Sequence, residues 1–247
     1  MRVIYNSRTP IKHDPLDDGI SQVTLIDYMG DDLRVVNAAR VSFDKESSWV
    51  EDPRNPDFPN VLSERDRKLI HYLARHDHWT PFSHCMATLR IKMPIFVARQ
   101  WFKHSVGFTR NEVSRRYVDS TPEFYIPKTW RKRAENVKQG SSDEAHCESS
   151  SFSSYASAQC DIILTLYSYM IEGGVAPEMA RMILPQSAYT EFYETGSLAA
   201  YARLCKLRLD SHAQKETRLY AEAVSEIMAR LFPVSWEALT RQEVING

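Results

Sequence analysis

Positive charge gathers in one stretch of the chain. Residues 103–117, KHSVGFTRNEVSRRY, carry Lys103, Arg110, Arg115 and Arg116 with His104 and a single carboxylate, Glu112. Alternate residues of an extended chain share a face, so NEVSRRY as a strand turns Glu112, Ser114 and Arg116 to one side, spread over about 14 Å. Arg and Ser bind phosphate through charge-assisted hydrogen bonds. A carboxylate repels phosphate, so Glu112 must serve a sugar hydroxyl, a base N–H or a neighbouring Arg. This is a cradle for a phosphorylated nucleoside; the plainer alternative is an exposed strand laced with ion pairs. Just upstream, Gln100, Lys103 and His104 stand three and four positions apart and share a face on a helix that runs through them.

Three further clusters carry chemistry. In LRLDSHAQKE, Arg208 and His212 are four apart, again one face of a helix if it continues. In APEMARMILP, Arg181 sits inside an apolar segment, and a buried Arg needs a partner. HDHWTPFSH holds His76, His78 and His84, but its Trp-Thr-Pro favours a turn and no carboxylate or Cys set completes a metal site. No metal is expected; His78 suits stacking or hydrogen bonding to a ring ligand. None of the four cysteines forms a CxxC pair or has a base beside it, and Cys85 and Cys205 fall at core-like positions. Ser114 reads as a ligand, not a nucleophile, for want of a nearby base.

The elements that must position these groups follow from periodicity. Residues 22–28, QVTLIDY, alternate as a strand. Asp31 or Asp32 caps a helix through LRVVNAARVSF, and Ser63 starts another, with Asp66 three positions on. Residues 85–93 alternate cleanly: Cys85, Ala87, Leu89, Ile91 and Met93 face the core. Pro94 opens a helix through PIFVARQWFKH, with Phe96, Val97 and Trp101 on its apolar side. Helices are expected near 159–172, 176–183, 196–207 and 211–232. Residues 46–62, rich in Pro, and 138–158, rich in Ser, read as surface loops, the second mobile. The fold class is α+β: a single domain over 1–247, with a twisted sheet and a large helical part.

Bulk properties exclude several classes. The 247 residues have a formal net charge of −1, 43% hydrophobic and 26% charged, unlike a generic polyanion binder. Neither G-x-G-x-x-G nor G-x-x-x-x-G-K-[ST] occurs, so side chains and helix ends must hold any nucleotide. No apolar run approaches the ~20 residues that span a bilayer. With no signal-peptide pattern, a cytoplasmic protein with reduced thiols is expected. Two rival readings use the same cations. A nucleotide hydrolase needs a carboxylate-held metal, yet DDG, GDD and SDE look like turns and caps. A basic RNA-binding module around 96–117 sits poorly with the balanced charge.

Taken together, GDDLRVVNAARVSFD, LARHDHWTPFSH, PIFVARQWFKH, NEVSRRY, PEFYIP, MARMILP and LRLDSHAQKE, in this order, resemble the flavin-dependent thymidylate synthases. The resemblance covers most of residues 20–235. It departs at two places. The family's Arg-His-Arg triplet is Lys103-His104-Ser105 here, and the spacing to Ser114 is one residue longer. Arg110 falls in the lengthened stretch and is expected to restore part of the lost charge. Where the family has an Asn-x-Arg pair and a further Asn for the flavin, this chain has Ser197, Ala199 and Arg203. The resemblance implies methylation of dUMP to dTMP, with methylenetetrahydrofolate as carbon donor and NADPH reducing a bound FAD. It implies a homotetramer with active sites shared between subunits, and no nucleic-acid or membrane partner. By motif position, dUMP meets Gln100, Lys103, Glu112, Ser114, Arg115, Arg116, Arg181 and Arg208, the last catalytic. FAD meets Ser42, Thr80, His104, Ser105, Glu112, Arg203 and His212, with His78 near the folate.

Overall fold

Strict alternation in residues 85–93 places one strand at the centre of a sheet, and the site hangs from that sheet's ends. The structure, a computed structural model, describes residues 11–52, 60–117, 120–135 and 141–241. In chain order, β1 (Lys12–His13) and β2 (Gln22–Met29) lead into α1 (Asp32–Arg40). The short strands β3 (Val50–Glu51) and β4 (Asn60–Val61) precede α2 (Glu64–Arg75). Then come β5 (Met86–Pro94), α3 (Ile95–Trp101) and β6 (Phe108–Glu112). A ribbon of β7 (Arg131–Arg133) and β8 (Ser141–Ala145) is followed by α4 (Ser149–Glu172) and α5 (Pro177–Ala180). The chain closes with β9 (Tyr189–Ser197), α6 (Leu198–Arg208), α7 (Lys215–Leu231) and α8 (Pro233–Thr240).

Among the described residues, five strands form an antiparallel sheet in the order β1-β2-β5-β9-β6. The α+β architecture agrees with the expectation. Ala87, Leu89, Ile91 and Met93 of β5 are buried, and Arg90 and Lys92 point away to ion pairs with Glu191 and Glu123. The inward face packs on α6 and on the stripe Tyr220, Val224, Ile227 and Met228 of α7, in one continuous core. That stripe repeats at helical spacing, so one face of α7 is apolar along its length. The expected caps are present: Asp31 Oδ1 accepts from the Arg34 N–H at 2.8 Å, and Ser63 Oγ from the Asp66 N–H at 3.2 Å. Each satisfies a backbone donor that the first helical turn leaves open. Among the described residues no helix is long and apolar enough to cross a membrane.

Several expectations fail, each for a local reason. Of the Ser-rich segment 138–158, residues 138–140 lie outside the described set, and the rest is no loop: it holds β8 and the start of α4 at Ser149. Serine costs only about 0.5 kcal/mol against alanine in a helix, and no Gly or Pro interrupts. Its serines are also used. Ser149 Oγ accepts from the Trp130 N–H at 2.8 Å, and Ser153 Oγ accepts from Trp130 Nε1 at 3.1 Å while donating to Pro127 O at 3.1 Å. Of the segment 46–62, residues 53–59 lie outside the described set, and its ends pair as β3 and β4. The helix opened by Pro94 stops at Trp101, before Lys103 and His104. The strand expected through NEVSRRY ends at Glu112, and a turn follows in which the Tyr117 N–H donates to Ser114 O at 3.0 Å. α6 ends at Arg208 and α7 begins only at Lys215, so no single helix carries both Arg208 and His212.

Candidate active site

β9 runs straight into α6, and the cap fixes the joint. Ser197 Oγ accepts from the Ala200 N–H at 3.2 Å. Behind that cap α6 is buried along most of its length and carries Arg208 out at its last turn. Arg208 is half-buried and held twice: Nε donates to His104 Nε2 at 3.0 Å, and Nη2 donates to Gln100 O at 2.8 Å. A guanidinium cannot accept, so His104 Nε2 must be the unprotonated nitrogen. Burial first, then the charges of Arg208, Arg110 and Arg203, push the His104 pKa down to about 4. His104 is therefore a neutral acceptor at pH 7. It aims Arg208 without competing with its charge.

The loop that delivers His104 is pinned at its carbonyls. Arg110 Nη1 donates to His104 O at 2.6 Å, Arg203 Nη2 to Val106 O at 2.9 Å, and the Ser197 N–H to Gly107 O at 3.1 Å. Gly107 has φ +81°, and a Cβ there would stand 2.9 Å from Ala200 Cβ, so the turn needs glycine on both counts. Arg110 also forms an ion pair with Glu194, whose carboxylate is fully buried and accepts from Trp101 Nε1 as well. Arg110 was expected to restore charge lost from the triplet; its Nε and Nη1 engage Glu194 and the His104 carbonyl, where they brace the loop. Glu194 was missed, yet it sits on the inward register of β9 between Phe192 and Gly196, a position that calls for a buried cation.

Below Arg208 lies a pocket of about 460 Å³, lined by Gln100, Arg131, Ser141, Arg208, His212, Ala213 and Gln214. Gln100, Arg208 and His212 were expected at one site and meet here, with His104 bonded to Arg208. His212 reaches the pocket from the turn after α6, where its N–H and Nδ1 both engage Asp210 Oδ1 at 2.8 Å. Arg131, Ser141 and Gln214 were not foreseen. Two of them come from the β7–β8 ribbon, which carried no sequence signal for a wall of the site.

The other candidates do not line this pocket. Glu112 ends β6, and its Oε1 accepts from Thr190 Oγ1 at 2.6 Å. Ser114 and Arg116 do converge, through the turn and not through a strand: Arg116 Nε donates to Ser114 Oγ at 3.2 Å. Arg115 Nη1 donates to Ser120 O at 2.6 Å. Arg181 is exposed and bonded only weakly, Nε to Glu178 O at 3.3 Å, which corrects its expected burial. Lys103 and Ser105 are exposed on the pinned loop, Ser42 and Thr80 are exposed on short 3-10 helices, and His78 is exposed just before the second of these. His78 stands edge-on to Tyr72, ring centroids 6.0 Å apart. No hydrogen bond or ion pair among the described residues joins Ser42, His78, Thr80, Ser114, Arg116 or Arg181 to the Arg208 corner.

The donor set suits a flavin nucleotide laid across a surface. The hydroxyls of Ser42, Thr80 and Ser105 and the cations Lys103 and Arg203 are exposed, ready to meet a diphosphate, while Val41, Phe43 and Trp79 offer exposed apolar surface to a planar ring. Ser197 and Ala199 are buried and cannot contribute. Among the described residues no group of three His, Cys, Asp or Glu side chains converges as a metal site. Burial raises the thiols of Cys85, to about 12, and Cys205, so neither is a ready nucleophile.

Comparison with known proteins gives a consistent picture. The family model described as "Thymidylate synthase complementing protein" matches residues 24–234. A flavin-dependent thymidylate synthase of Thermosipho africanus is 39% identical over 228 residues, 92% of each chain. One from Thermus thermophilus is also 39% identical, over 96% of this chain and 81% of its own. Among solved structures, the UMP/dUMP methylase PolB from Streptomyces cacaoi, bound with 5-Br UMP, superposes with a TM-score of 0.74 at 29% identity, covering 88% of this chain and 92% of that one.

Proposed function

The chain belongs to the flavin-dependent thymidylate synthases, and from that premise we propose that it methylates dUMP to dTMP with Arg208 as its catalytic residue. The observation that carries this reading is the Arg208 corner. A half-buried guanidinium, aimed by a neutral imidazole and a backbone carbonyl, opens onto a pocket of nucleotide size. Uracil is a poor electrophile at C6 and a poor nucleophile at C5. A fixed cation beside the ring carbonyl holds the electron density that must build there as the ring is activated. One preorganised donor of this kind lowers a barrier by about 3–4 kcal/mol.

Around the nucleotide, Gln100 and Arg208 take one end. Lys103, Glu112, Ser114, Arg115, Arg116 and Arg181 take the other, where the arginines and the Ser114 hydroxyl neutralise the phosphate. Ser42, Thr80, His104, Ser105, Glu112, Arg203 and His212 border the FAD, and His78 stands near the folate. FAD supplies, when bound, the reducing equivalents that no side chain can provide. Methylenetetrahydrofolate is the carbon donor, NADPH the reductant, and the cytoplasm the compartment.

A homotetramer with shared sites fits the two-part layout. It also fits α4, which exposes Tyr155, Ile162, Leu166 and Tyr169, each 46–74% accessible. Their spacings of seven, four and three place them in one stripe, the kind of apolar seam that a second copy covers.

The visible spectrum of the purified protein tests the reading. The protein is expected to bind FAD, to bleach on addition of NADPH, and to form dTMP when dUMP and methylenetetrahydrofolate follow. A colourless protein that ignores added FAD, or a flavoprotein that yields no dTMP, defeats it.

A further inference from the structure

Glu216 lies in the first turn of α7, on the buried stripe of that helix, and is 5% exposed. A buried carboxylate needs a partner, and Arg131 of β7 supplies a fork: Nη1 to Oε1 at 2.8 Å and Nη2 to Oε2 at 3.1 Å. Burial pushes the Glu216 pKa upward, but the Arg131 hydrogen bonds and charge outweigh it, so Glu216 is held below its usual range and stays ionised. Arg131 Nε reaches Ser141 Oγ on β8 at 2.7 Å, and Lys215 bonds Asp143 at 3.0 Å alongside. The ribbon is thus fastened to the start of α7 through an ion pair.

That carboxylate sets a direction for the amides beside it. An ionised carboxylate only accepts. Gln214 must therefore turn its Nε2 to Glu216 Oε2, at 3.0 Å, which leaves its Oε1 to accept from Gln100 Nε2 at 2.6 Å. Gln100 in turn shows its Oε1 to Thr217 Oγ1, at 3.3 Å. Reversing Gln214 sets oxygen against carboxylate and N–H against N–H, and reversing Gln100 sets its oxygen against Gln214 Oε1. Gln100 keeps one N–H and one lone pair uncommitted, and it lines the pocket.

We infer that the Arg131–Glu216 pair is a positioning device: acting through Gln214, it fixes which end of the Gln100 amide is offered as donor and which as acceptor to the nucleotide. The inference rests on the proposed function, since it takes dUMP as the occupant. Neither Arg131 nor Glu216 has to touch a reacting atom. A flipped Gln100 presents a donor where the nucleotide expects an acceptor, so the damage falls on nucleotide affinity before it falls on chemistry.

The test uses the full-length, FAD-loaded enzyme and measures dUMP affinity by calorimetry, with KM and kcat alongside. Glu216→Gln restores ambiguity to the amide chain and is expected to weaken dUMP roughly 10- to 100-fold, with kcat at saturation changed less than about threefold and FAD content unchanged. Gln214→Leu leaves the ion pair intact and breaks only the relay, so it keeps the test open if Glu216 variants fold poorly. It is expected to weaken dUMP by a similar factor, and the double variant to lose little more than either alone. A well-folded Gln214→Leu enzyme that binds dUMP within about twofold of wild type overturns the inference while the proposed function stands. A wild-type enzyme that binds no dUMP overturns both.

Discussion

Arg208 and Arg181 both come from the helical half of the chain, and they live in opposite conditions. Arg208 is half-buried and bonded to a side chain and a carbonyl that are themselves pinned. Arg181 is exposed and touches one backbone oxygen of its own turn at 3.3 Å. The contrast extends to their surroundings. The Arg208 corner is knitted together by His104, Arg110, Glu194 and Arg203, whereas among the described residues Ser114, Arg115 and Arg116 make hydrogen bonds only to partners within 114–120. The lesson concerns what each end must do. Stabilising charge that develops during a reaction requires donors already in place. On the proposed reading, holding a phosphate asks only for cations within reach, which a neighbouring copy can supply equally well.

The sharpest way to break that comparison is Arg208→Ala. It is expected to cut kcat roughly 100- to 1,000-fold, the loss of one preorganised donor, with FAD affinity within about threefold of wild type. Equal losses in turnover and flavin affinity would move Arg208 out of the catalytic role. A second experiment asks whether the loose end belongs to a neighbour. Arg181→Ala and Arg208→Ala subunits, each weakly active alone, are co-expressed and the mixed oligomers assayed. If each site takes Arg208 from one subunit and Arg181 from another, random pairing restores about a quarter of wild-type activity. No recovery would place both arginines in one subunit's site.

The smallest effect concerns acid. His104 is neutral in the folded protein down to about pH 4, while an unfolded histidine takes up its proton near its ordinary value of about 6.5. Between those limits the unfolded state binds more protons, so stability is fully present above about pH 6.5 and falls as pH drops toward 4. Urea midpoints measured across this window should decline more steeply for wild type than for His104→Gln. Parallel curves would show that His104 titrates normally.

How much of this was legible in the sequence depends on where the information lies. The alternation of β5 and the caps at Asp31 and Ser63 are local signals, and they read correctly. The joining of Gln100, Arg208 and His212 was legible from motif order, although the helices expected to align them stop short. The Ser-rich start of α4 was not legible. Its serines bond to Trp130 and Pro127, contacts that no local window contains. Arg131 was hidden for the same reason, because a cation in RKR looks solvated until Glu216 is seen to be buried. Glu216 and Glu194 did leave a trace, each a carboxylate standing on an otherwise apolar register. Reading such residues as requests for a distant cation would have found both ion pairs' acidic halves.

The stripe on α4 has one more consequence. From Tyr155 to Tyr169 the apolar seam covers 14 residues of helical rise, about 21 Å along one face of α4. If catalytic centres exist only where copies meet along such seams, output does not scale in simple proportion to the number of chains. Below the dissociation midpoint each dilution step removes assembled centres as well as chains, and specific activity drops with concentration. Synthesis of the product would then switch on steeply as the polypeptide accumulates, a threshold written into the surface of a single helix.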